Sequence, residues 1–401
     1  MPKATIESVD VAGKKVLIRV DFNVPLEDRA ITDDRRIRAA LPTIRSVIER
    51  GGRAILMSHL GRPEGTGPEP ALSLQPVADR LGEILGKPVI FPSHDCVDEA
   101  AKVAVGEMRD GDVLLLENLR FHKAEKAGDA AFGQRLADLG DVYVNDAFGT
   151  CHRTDASMVA VPSAMSGKPR VTGFLVEKEI RFLSDTLADP KRPFVVVLGG
   201  AKVSDKLPAI ENLMPKADAI VVGGAMAYTF VKALGHNVGT SRVEEDMVPK
   251  AKALIEQAAH SDLDLHLPVD HVCSTQFAEN SGDIEVFEDH IKDGFMGLDI
   301  GPKTQARFSE VVRKAGTVVW NGPMGVFEWR PFRIGTKTIA NACVEATEKG
   351  GVTIVGGGDS AAAAAEFGVA DKLSHVSTGG GASLKMLEGE AFAAVDLLDE
   401  A

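Results

Sequence analysis

Short apolar runs alternate with helix-like patterns along the whole chain. The apolar runs cover residues 16–20, 54–57, 113–116 and 142–144 in the first half, and 194–198, 219–222, 317–320 and 352–355 in the second. Continuous runs of this kind are typical of strands covered on both faces, as in parallel sheets with crossover helices. The clearest helix is indicated by apolar residues at helical spacing, Ile37, Leu41, Ile44 and Ile48. Asp33 precedes this helix as its predicted N-cap.

The order of elements predicts the α/β class, with two doubly wound parallel-sheet (Rossmann-like) domains joined by a helix, and a hinge and a cleft between them. A length of 401 residues suits two domains. Residues 162–173 are rich in Ser, Pro and Gly, and a helical pattern follows them. We therefore predict an N-terminal domain over 1–173, an interdomain helix over 174–188 and a C-terminal domain over 189–401, whose last residues pack back on the N-terminal domain.

The amino-acid composition and net charge limit which classes of ligand and partner are expected. The apolar fraction is 44% and the charged fraction 26%, which are values of a globular protein. The formal net charge of −13 argues against nonspecific binding to nucleic acid or to an anionic membrane. No run approaches the roughly 20 apolar residues of a membrane span. An anionic ligand must therefore be captured by a local basic cluster.

The cysteines are few and scattered, at Cys96, Cys151, Cys273 and Cys343. This usage favours a reducing cytoplasm over a disulfide framework. Cys151 stands next to His152, but adjacency in sequence does not pair two side chains in space. We interpret Cys151 as a free thiol rather than a nucleophile.

Basic and polar residues follow the predicted strands of the first half. They are Asp21 and Asn23, then His59, Leu60, Gly61 and Arg62, then Arg120, and finally His152 and Arg153. Ligands of parallel sheets bind beyond the carboxyl ends of the strands, where these residues fall. Guanidinium groups suit carboxylate and phosphate oxygens. One arginine alone is typical of a surface ion pair, but three after successive strands predict an anion site.

Glycine-rich segments directly follow the strands predicted in the second half of the chain. The glycine segments are 199–200, 223–224, 322–325, 356–358 and 379–381. Glycine lets backbone N–H groups approach a ligand, and a helix N-terminus adds partial positive charge. Lys202 and Lys206 could reach phosphate oxygens, and Asp359 could hold a magnesium ion among them. A single Gly-Gly turn is typical of tight packing, but five such turns predict a nucleotide site.

Three classes of function remain open from these residues. Phosphoryl transfer joins a site for a small anion to a site for a nucleotide with metal, and it depends on positioning and charge. No P-loop motif occurs. Gly356, Gly358 and Ala361 match a loose dinucleotide fingerprint, which leaves an NAD-dependent oxidoreductase as an alternative. A nucleotide-binding protein without catalysis is the third class.

Seven motifs resemble the phosphoglycerate kinase family, in the family's order and over essentially the whole chain. They are VDFNVP at 20–25, SHLGRP at 58–63, ENLRF at 117–121, NDAFGT at 145–150, GGAKVSDK at 199–206, WNGPMGVFE at 320–328 and STGGGAS at 377–383. The resemblance implies reversible transfer of the acyl phosphate of 1,3-bisphosphoglycerate to MgADP, which gives 3-phosphoglycerate and MgATP in glycolysis. It also implies a cytoplasmic monomer with small-molecule partners only.

The resemblance assigns roles to residues as follows. The glycerate substrate is expected at Asp21, Asn23, Arg36, His59, Leu60, Gly61, Arg62, Arg120 and Arg153. The nucleotide is expected at Gly200, Ala201, Lys202, Lys206, Gly224, Gly297, Asn321, Glu328, Gly357, Gly358, Asp359 and Ser360. Among these, Glu328 would bind the ribose and Asp359 the Mg²⁺. Charge on the phosphoryl group in flight would be stabilised by Arg36, Lys202 and backbone N–H groups around Gly379 and Gly380.

Two positions depart from the family's pattern. Ser360 stands where the family often has Thr, and the hydroxyl is retained. Lys385 stands where we expect Glu, so we expect altered electrostatics of domain coupling at this position, with the catalytic residues unaffected.

In-line transfer requires the two ligands to approach, so we predict a hinge motion that involves the helix at 174–188. Small-angle scattering should give a smaller radius of gyration with both ligands bound than for the free protein. No compaction on adding both ligands would contradict the hinge.

Overall fold

Two parallel sheets, one in each half of the chain, organise the computed structural model, which describes residues 2–401. The strands are β1 Lys15–Val20, β2 Leu26–Glu27, β3 Ala30–Ile31, β4 Arg53–Met57, β5 Val113–Leu115, β6 Val142–Asp146, β7 Arg170–Thr172, β8 Phe194–Leu198, β9 Ala219–Val222, β10 Asp264–His266, β11 Asp270–Ser274, β12 Ile284–Glu288, β13 Met296–Ile300, β14 Thr317–Asn321, β15 Val352–Gly356 and β16 His375–Val376.

The helices cover the faces of these sheets. They are α1 Arg35–Glu49, α2 Gln75–Leu85, α3 Glu99–Glu107, α4 Lys123–Lys126, α5 Ala130–Ala137, α6 Ala160–Ala164, α7 Phe174–Ile180, α8 Thr186–Ala188, α9 Leu207–Leu213, α10 Ala227–Ala233, α11 Val248–Ala259, α12 Pro302–Arg313, α13 Ile334–Glu348, α14 Gly358–Glu366, α15 Gly381–Leu387 and α16 Ala393–Asp396. Among residues 2–401, no helix combines the length and apolar character that a membrane span requires.

The chain divides into two compact units. The N-terminal unit runs to Arg181 and includes Ala391–Ala401, and the C-terminal unit is Phe182–Glu390. The division falls inside the segment predicted as an interdomain helix, where a π-helical turn at Arg181–Asp185 separates α7 from α8.

The N-terminal unit is a five-stranded sheet in the order β5-β4-β1-β6-β7 with every pair parallel. Successive residues of β1 face opposite cores: Val16 and Ile18 pack with α1 and α2, whereas Leu17 packs with α3 and α5. Both faces are therefore covered, which explains the continuous apolar runs of the sequence.

The C-terminal unit repeats this plan with six parallel strands in the order β10-β9-β8-β14-β15-β16. Val195, Val197 and Trp320 pack against α12, α13 and α14 on one face. A separate antiparallel sheet in the order β12-β11-β13 has exposed apolar residues on β12, with Val286 52% exposed. The predicted class of two doubly wound α/β domains is confirmed.

The start of α1 differs from the prediction. The N-cap is Asp34, not Asp33, and its side chain makes no capping hydrogen bond. Asp33 instead accepts a hydrogen bond from the Arg35 backbone N–H at 2.9 Å, so its carboxylate holds the turn that precedes the helix.

The end of the chain is part of the N-terminal unit. The Ala4 N–H donates to the Asp399 carbonyl at 2.9 Å, and Arg170 pairs with the Asp399 carboxylate at 2.7 Å. Leu398 is 2% exposed in the core that also contains Leu17. The last residues therefore complete this unit.

Truncation of Leu398 to Ala should lower the free energy of unfolding by about 3 kcal/mol, because it leaves a cavity in a closed core. Val103→Ala, at a position in the same unit that is 50% exposed, is the control and should cost less than about 0.5 kcal/mol. Urea unfolding of both variants tests this. Equal losses of unfolding free energy in Leu398→Ala and Val103→Ala would show that the C-terminal segment adds nothing to the core.

Candidate functional sites

Loops at the carboxyl edge of the first sheet are joined by side-chain hydrogen bonds. Arg36, in the first turn of α1, donates from Nη1 to both carboxylate oxygens of Asp21 at 2.8 Å. The Gly61 N–H donates to Asn23 Oδ1 at 2.8 Å. The structure therefore brings together the predicted residues of the loops after β1 and β4.

His59 lies at the centre of this group and is only 2% exposed. Burial lowers its pKa well below the ordinary value, and the charges of Arg19, Arg120, Arg153 and Arg36 add to the effect. The imidazole is therefore neutral at pH 7. The charges of four guanidinium groups therefore act on one neutral ring, which makes this sheet edge a candidate anion site.

The three remaining arginines differ in how they are held. Arg120 is buried and donates from Nη1 to the Gly61 carbonyl at 2.9 Å, while its Nη2 lies 3.6 Å from an Asp155 carboxylate oxygen. Burial lowers the pKa of Arg120, and the charge of Arg153 adds to this. Arg62 is exposed and Arg153 half-buried, and neither makes a side-chain hydrogen bond or ion pair within residues 2–401.

Sequence reasoning missed the residue that holds the loop between these groups. The Asn118 amide donates to the carbonyls of Leu60 at 2.8 Å and Leu72 at 2.9 Å. Its Oδ1 accepts from the backbone N–H groups of Leu60 at 3.2 Å and Arg120 at 3.1 Å. The signal was a polar residue after a strand inside the ENLRF motif. Asn118 therefore positions Leu60, Gly61 and Arg120.

A cavity of about 360 Å³ lies in the C-terminal unit. Its lining contains Gly200, Ala201, Tyr228, Gly224, Gly297, Phe277, Leu298, Pro323, Val326, Glu328 and Asp359, among others. Half of the residues predicted for the nucleotide are in this lining. Apolar side chains and backbone predominate, with few charges, as in sites for small organic ligands.

Glycine is required where the loops of this cavity meet. Gly224 has φ +67°, and a Cβ there would lie 2.5 Å from the Gly200 nitrogen. A Cβ on Gly297 would lie 1.9 Å from the Tyr228 hydroxyl oxygen. Backbone therefore reaches positions that a side chain would block.

Lys206 lies outside the lining of this cavity but close to the lining residue Asp359, whose charge acts on it. Lys206 donates a hydrogen bond to Asn321 Oδ1. Burial lowers the pKa of Lys206, while the charges of Asp205, Asp359 and Glu388 oppose the shift. The exposed Asp359 lies in the first turn of α14. One exposed carboxylate suits Mg²⁺ that takes its other oxygens from phosphate and water.

Six predicted nucleotide residues lie outside the lining: Lys202, Lys206, Asn321, Gly357, Gly358 and Ser360. Ser360 is buried, and its hydroxyl accepts from the Gly322 N–H at 2.6 Å, so here it supports a loop. Lys202 is exposed on the loop before α9. Their contacts with a nucleotide remain predictions.

The loop with Lys202 has an anchor that the sequence did not indicate. Glu244 accepts from the Ser204 hydroxyl at 2.6 Å and from the Ser204 N–H at 3.1 Å. The pKa of Glu244 is lowered because these hydrogen bonds and the charge of Lys202 outweigh a burial effect of opposite sign.

The glycine run after β16 lies at the carboxyl edge of the second sheet, next to the loop that follows β15. β16 is parallel to β15, which ends at Gly356. The Gly379 N–H donates to the Ser377 hydroxyl at 3.1 Å, and Gly380 has φ +53°. Lys385 on α15 pairs with Glu390 at 2.6 Å.

Residues 2–401 contain one further group with metal-ligand spacing, formed by Asp95, Cys96 and His122 within 4.8 Å of one another. His122 Nε2 lies 3.1 Å from Asp95 Oδ2, so the carboxylate and the ring already form a pair. Burial raises the pKa of the Cys96 thiol well above its ordinary value, which disfavours the thiolate. We assign no ion to this group.

Comparison with known proteins gives one consistent result. The family model described as phosphoglycerate kinase matches residues 6–390. A phosphoglycerate kinase of Rhodopirellula baltica is 56% identical over 404 residues and covers 100% of both chains, and one of Clostridium tetani is 50% identical over 99% of this chain and 98% of its own. The solved phosphoglycerate kinase structure from Coxiella burnetii has a TM-score of 0.91 at 38% identity, over 99% of this chain and 98% of that chain.

Gly224→Ala should weaken ADP binding by about tenfold or more, because the new methyl group forces apart the loops after β8 and β9. Gly86→Ala is a matched control: Gly86 has φ +69°, but no atom lies within 4 Å of its Cβ position. Both variants carry backbone strain, and only Gly224→Ala adds a clash. Calorimetric titration with ADP should separate them, and equal affinities would contradict the assignment of this cavity.

Proposed function

Because this chain belongs to the phosphoglycerate kinase family of glycolytic phosphotransferases, we propose that its two sites divide the substrates of that reaction. The basic site of the N-terminal unit takes the glycerate ligand, and the cavity of the C-terminal unit takes the nucleotide. One observation carries this division: the charges of four arginines act on a neutral His59 in one unit, and in the other unit glycine loops and Asp359 line a cavity, with Lys206 near Asp359.

The glycerate site is proposed to work by charge and by hydrogen bonding. The guanidinium groups of Arg62, Arg120 and Arg153 suit the phosphate and carboxylate oxygens of 3-phosphoglycerate. Asp21 and Asn23 can accept hydrogen bonds from its hydroxyl group. Arg62 and Arg153 have no protein partner among the described residues, so their donors remain available to a ligand.

The nucleotide site is proposed to separate base from phosphates. Tyr228, Leu298 and Val326 give the cavity an apolar wall that suits a base, and the exposed Glu328 suits ribose hydroxyls. Lys206 and Asp359 are proposed to hold the phosphates and Mg²⁺. Bound Mg²⁺ would neutralise phosphate charge as the phosphoryl group moves.

The proposed phosphoryl transfer depends on the positioning of the substrates more than on general acid–base catalysis. The acceptor carboxylate of 3-phosphoglycerate is ionised at pH 7, so no general base is required. Arg36 and Lys202, with backbone N–H groups at Gly379 and Gly380, would stabilise charge on the phosphoryl group. Arg36 is 43% exposed in its pair with Asp21, so it can exchange this partner for a ligand oxygen at small cost.

The oxidoreductase hypothesis is wrong, because the chain belongs to a kinase family. The turn that suggested a dinucleotide has another explanation in the structure. Gly357 has φ +89° and lies against the Asn321 amide, and the Ser360 hydroxyl is bonded to the Gly322 N–H.

We also propose a cytoplasmic monomer. All four cysteines are buried and free, and burial raises the pKa of Cys151 and of Cys343 to about 12. Thiols without disulfide partners suit a reducing compartment. Sedimentation of the purified chain tests the oligomeric state.

A coupled assay of ATP formation from 1,3-bisphosphoglycerate and ADP tests the proposed function directly. Activity should require Mg²⁺, and Asp359→Asn should raise the Mg²⁺ concentration that is needed. Absence of ATP formation by the folded wild-type chain would overturn the proposal.

Arg36→Ala should lower kcat by about 10²–10³, the usual loss when one donor to a transition-state oxygen is removed. Binding of MgADP should remain unchanged, since the cavity belongs to the other unit. Arg35→Ala is the control, because Arg35 is 78% exposed and, among residues 2–401, pairs only with Asp33. Equal losses of turnover and of MgADP affinity in Arg36→Ala would remove its assigned role.

A further inference from the structure

A buried chain of hydrogen bonds runs behind the basic site. Arg19 is 0% exposed and donates from Nε to Ser157 Oγ at 2.7 Å. The Ser157 hydroxyl donates to Glu125 Oε1 at 2.5 Å, and its N–H donates to Oε2 at 2.9 Å. Glu125 and Ser157 are also fully buried. None of the three residues was among the residues predicted from the sequence.

The direction of each hydrogen bond in this chain is fixed. Arginine has no acceptor, so Ser157 Oγ must accept from Arg19 and must direct its own proton to Glu125. Both Glu125 oxygens accept, which is the pattern of an ionised carboxylate. Burial raises the pKa of Glu125, and the charge of Arg19 and the Ser157 hydrogen bonds oppose that shift.

The donor-only chemistry of arginine also determines the tautomer of His59. Arg19 Nη2 lies 3.2 Å from His59 Nδ1. Because the guanidinium can only donate, Nδ1 must be the unprotonated nitrogen of the ring. The single proton of the neutral imidazole is then on Nε2, which is left as a donor for a ligand oxygen.

We propose that Glu125 and Ser157 are positioning residues that hold Arg19 against His59 Nδ1 and so fix His59 as the neutral Nε2–H tautomer that donates to the glycerate ligand. The inference rests on the proposed function for the identity of the ligand, and on geometry alone for the tautomer. Arg19 is held at three points, since Nη1 also donates to the Val20 carbonyl. A guanidinium held in this way has little freedom to leave the ring.

The surroundings of His59 agree with a ring that stays neutral. The charged groups that act on it are Arg19 from β1, Arg36 from α1, Arg120 from the turn after β5 and Arg153 from the loop after β6. All four are cations, and each disfavours a second ring proton. The Asp21 carboxylate is engaged by Arg36.

Nitrogen-15 NMR of the full-length protein with labelled histidine tests the tautomer without any assay of activity. His59 should show a protonated Nε2 and an unprotonated Nδ1, and the signals should not change as the pH is lowered to about 6.5, the ordinary histidine pKa. A protonated Nδ1, or an imidazolium near that pH, would overturn the proposal. Assignment uses the signal that is lost in His59→Gln.

Glu125→Gln tests the positioning role at equal side-chain volume. The Gln amide replaces one of the two acceptor oxygens by a donor. If its nitrogen faces Ser157 Oγ, the hydroxyl proton loses its acceptor, and if it faces the Ser157 N–H, two donors meet, so Arg19 is held less firmly in either case. We expect a mixture of His59 tautomers and an increase of about tenfold in KM for 3-phosphoglycerate, with KM for ATP unchanged. Ser157→Ala should act in the same direction and provides a second variant if Glu125→Gln does not fold.

Asp270→Asn is the matched control, because Asp270 is a buried carboxylate that accepts from the Lys303 and Thr304 backbone N–H groups in the other unit. It should lower stability without changing the His59 signals or KM for 3-phosphoglycerate. If Glu125→Gln and Ser157→Ala leave both readouts unchanged, or change both KM values equally, their role is only structural. If the wild-type chain makes no ATP but shows the tautomer, the proposed function fails and the hydrogen-bond chain stands.

Discussion

The burial of both faces of two parallel sheets is the constraint on which the rest of this molecule depends. A strand such as β1, with Val16, Leu17 and Ile18 fully buried, has no face open to a ligand. Polar side chains are therefore displaced to the carboxyl ends of the strands, where loops are free to vary. Asp21 after β1, His59 after β4 and Asp359 after β15 are each found there. The sheet topology therefore brings these residues together at one edge of each sheet. The chemistry of their side chains then determines which ligand each group suits.

Under the proposed function, the two units bind their anionic ligands in different ways. The N-terminal unit concentrates guanidinium groups, which repel one another in the free protein and are stabilised by buried acceptors such as the Gly61 carbonyl. The C-terminal unit uses backbone N–H groups and helix N-termini, which carry partial charge without a large desolvation cost. Gly224 and Gly297 make this possible, since a Cβ at either position would meet another residue. A negative net charge of −13 is compatible with both solutions, because each is local.

The sequence predicted the central strands, because buried parallel strands leave strong local signals. Half of the residues predicted for the nucleotide lie in one cavity lining, because glycine turns also leave a local signal. The sequence missed β12, whose Ile284 and Val286 are exposed, so that burial does not shape its pattern. It placed the N-cap of α1 at Asp33, since both Asp33 and Asp34 have the right side chain and only backbone geometry distinguishes them. It could not find the contact of Ser157 with Arg19, which joins residues 138 positions apart. Contacts of that kind depend on how the elements pack, and no local pattern records them.

Burying an isolated charge lowers the stability of a protein. Burying two charges that are joined by hydrogen bonds of defined direction can instead help to position a side chain. Arg19 and Glu125 are both fully buried, and each would be strongly destabilising alone. The Ser157 hydroxyl separates them, accepts from one and donates to the other, so that neither charge lacks a partner. A surface arginine could bind the ligand directly, but it could not hold the ring of His59 in one tautomer, because solvent would compete for every hydrogen bond. In our proposal, the burial of the hydrogen-bond chain is therefore part of its role: the arginines proposed to face the ligand can exchange partners, and Arg19 behind them cannot.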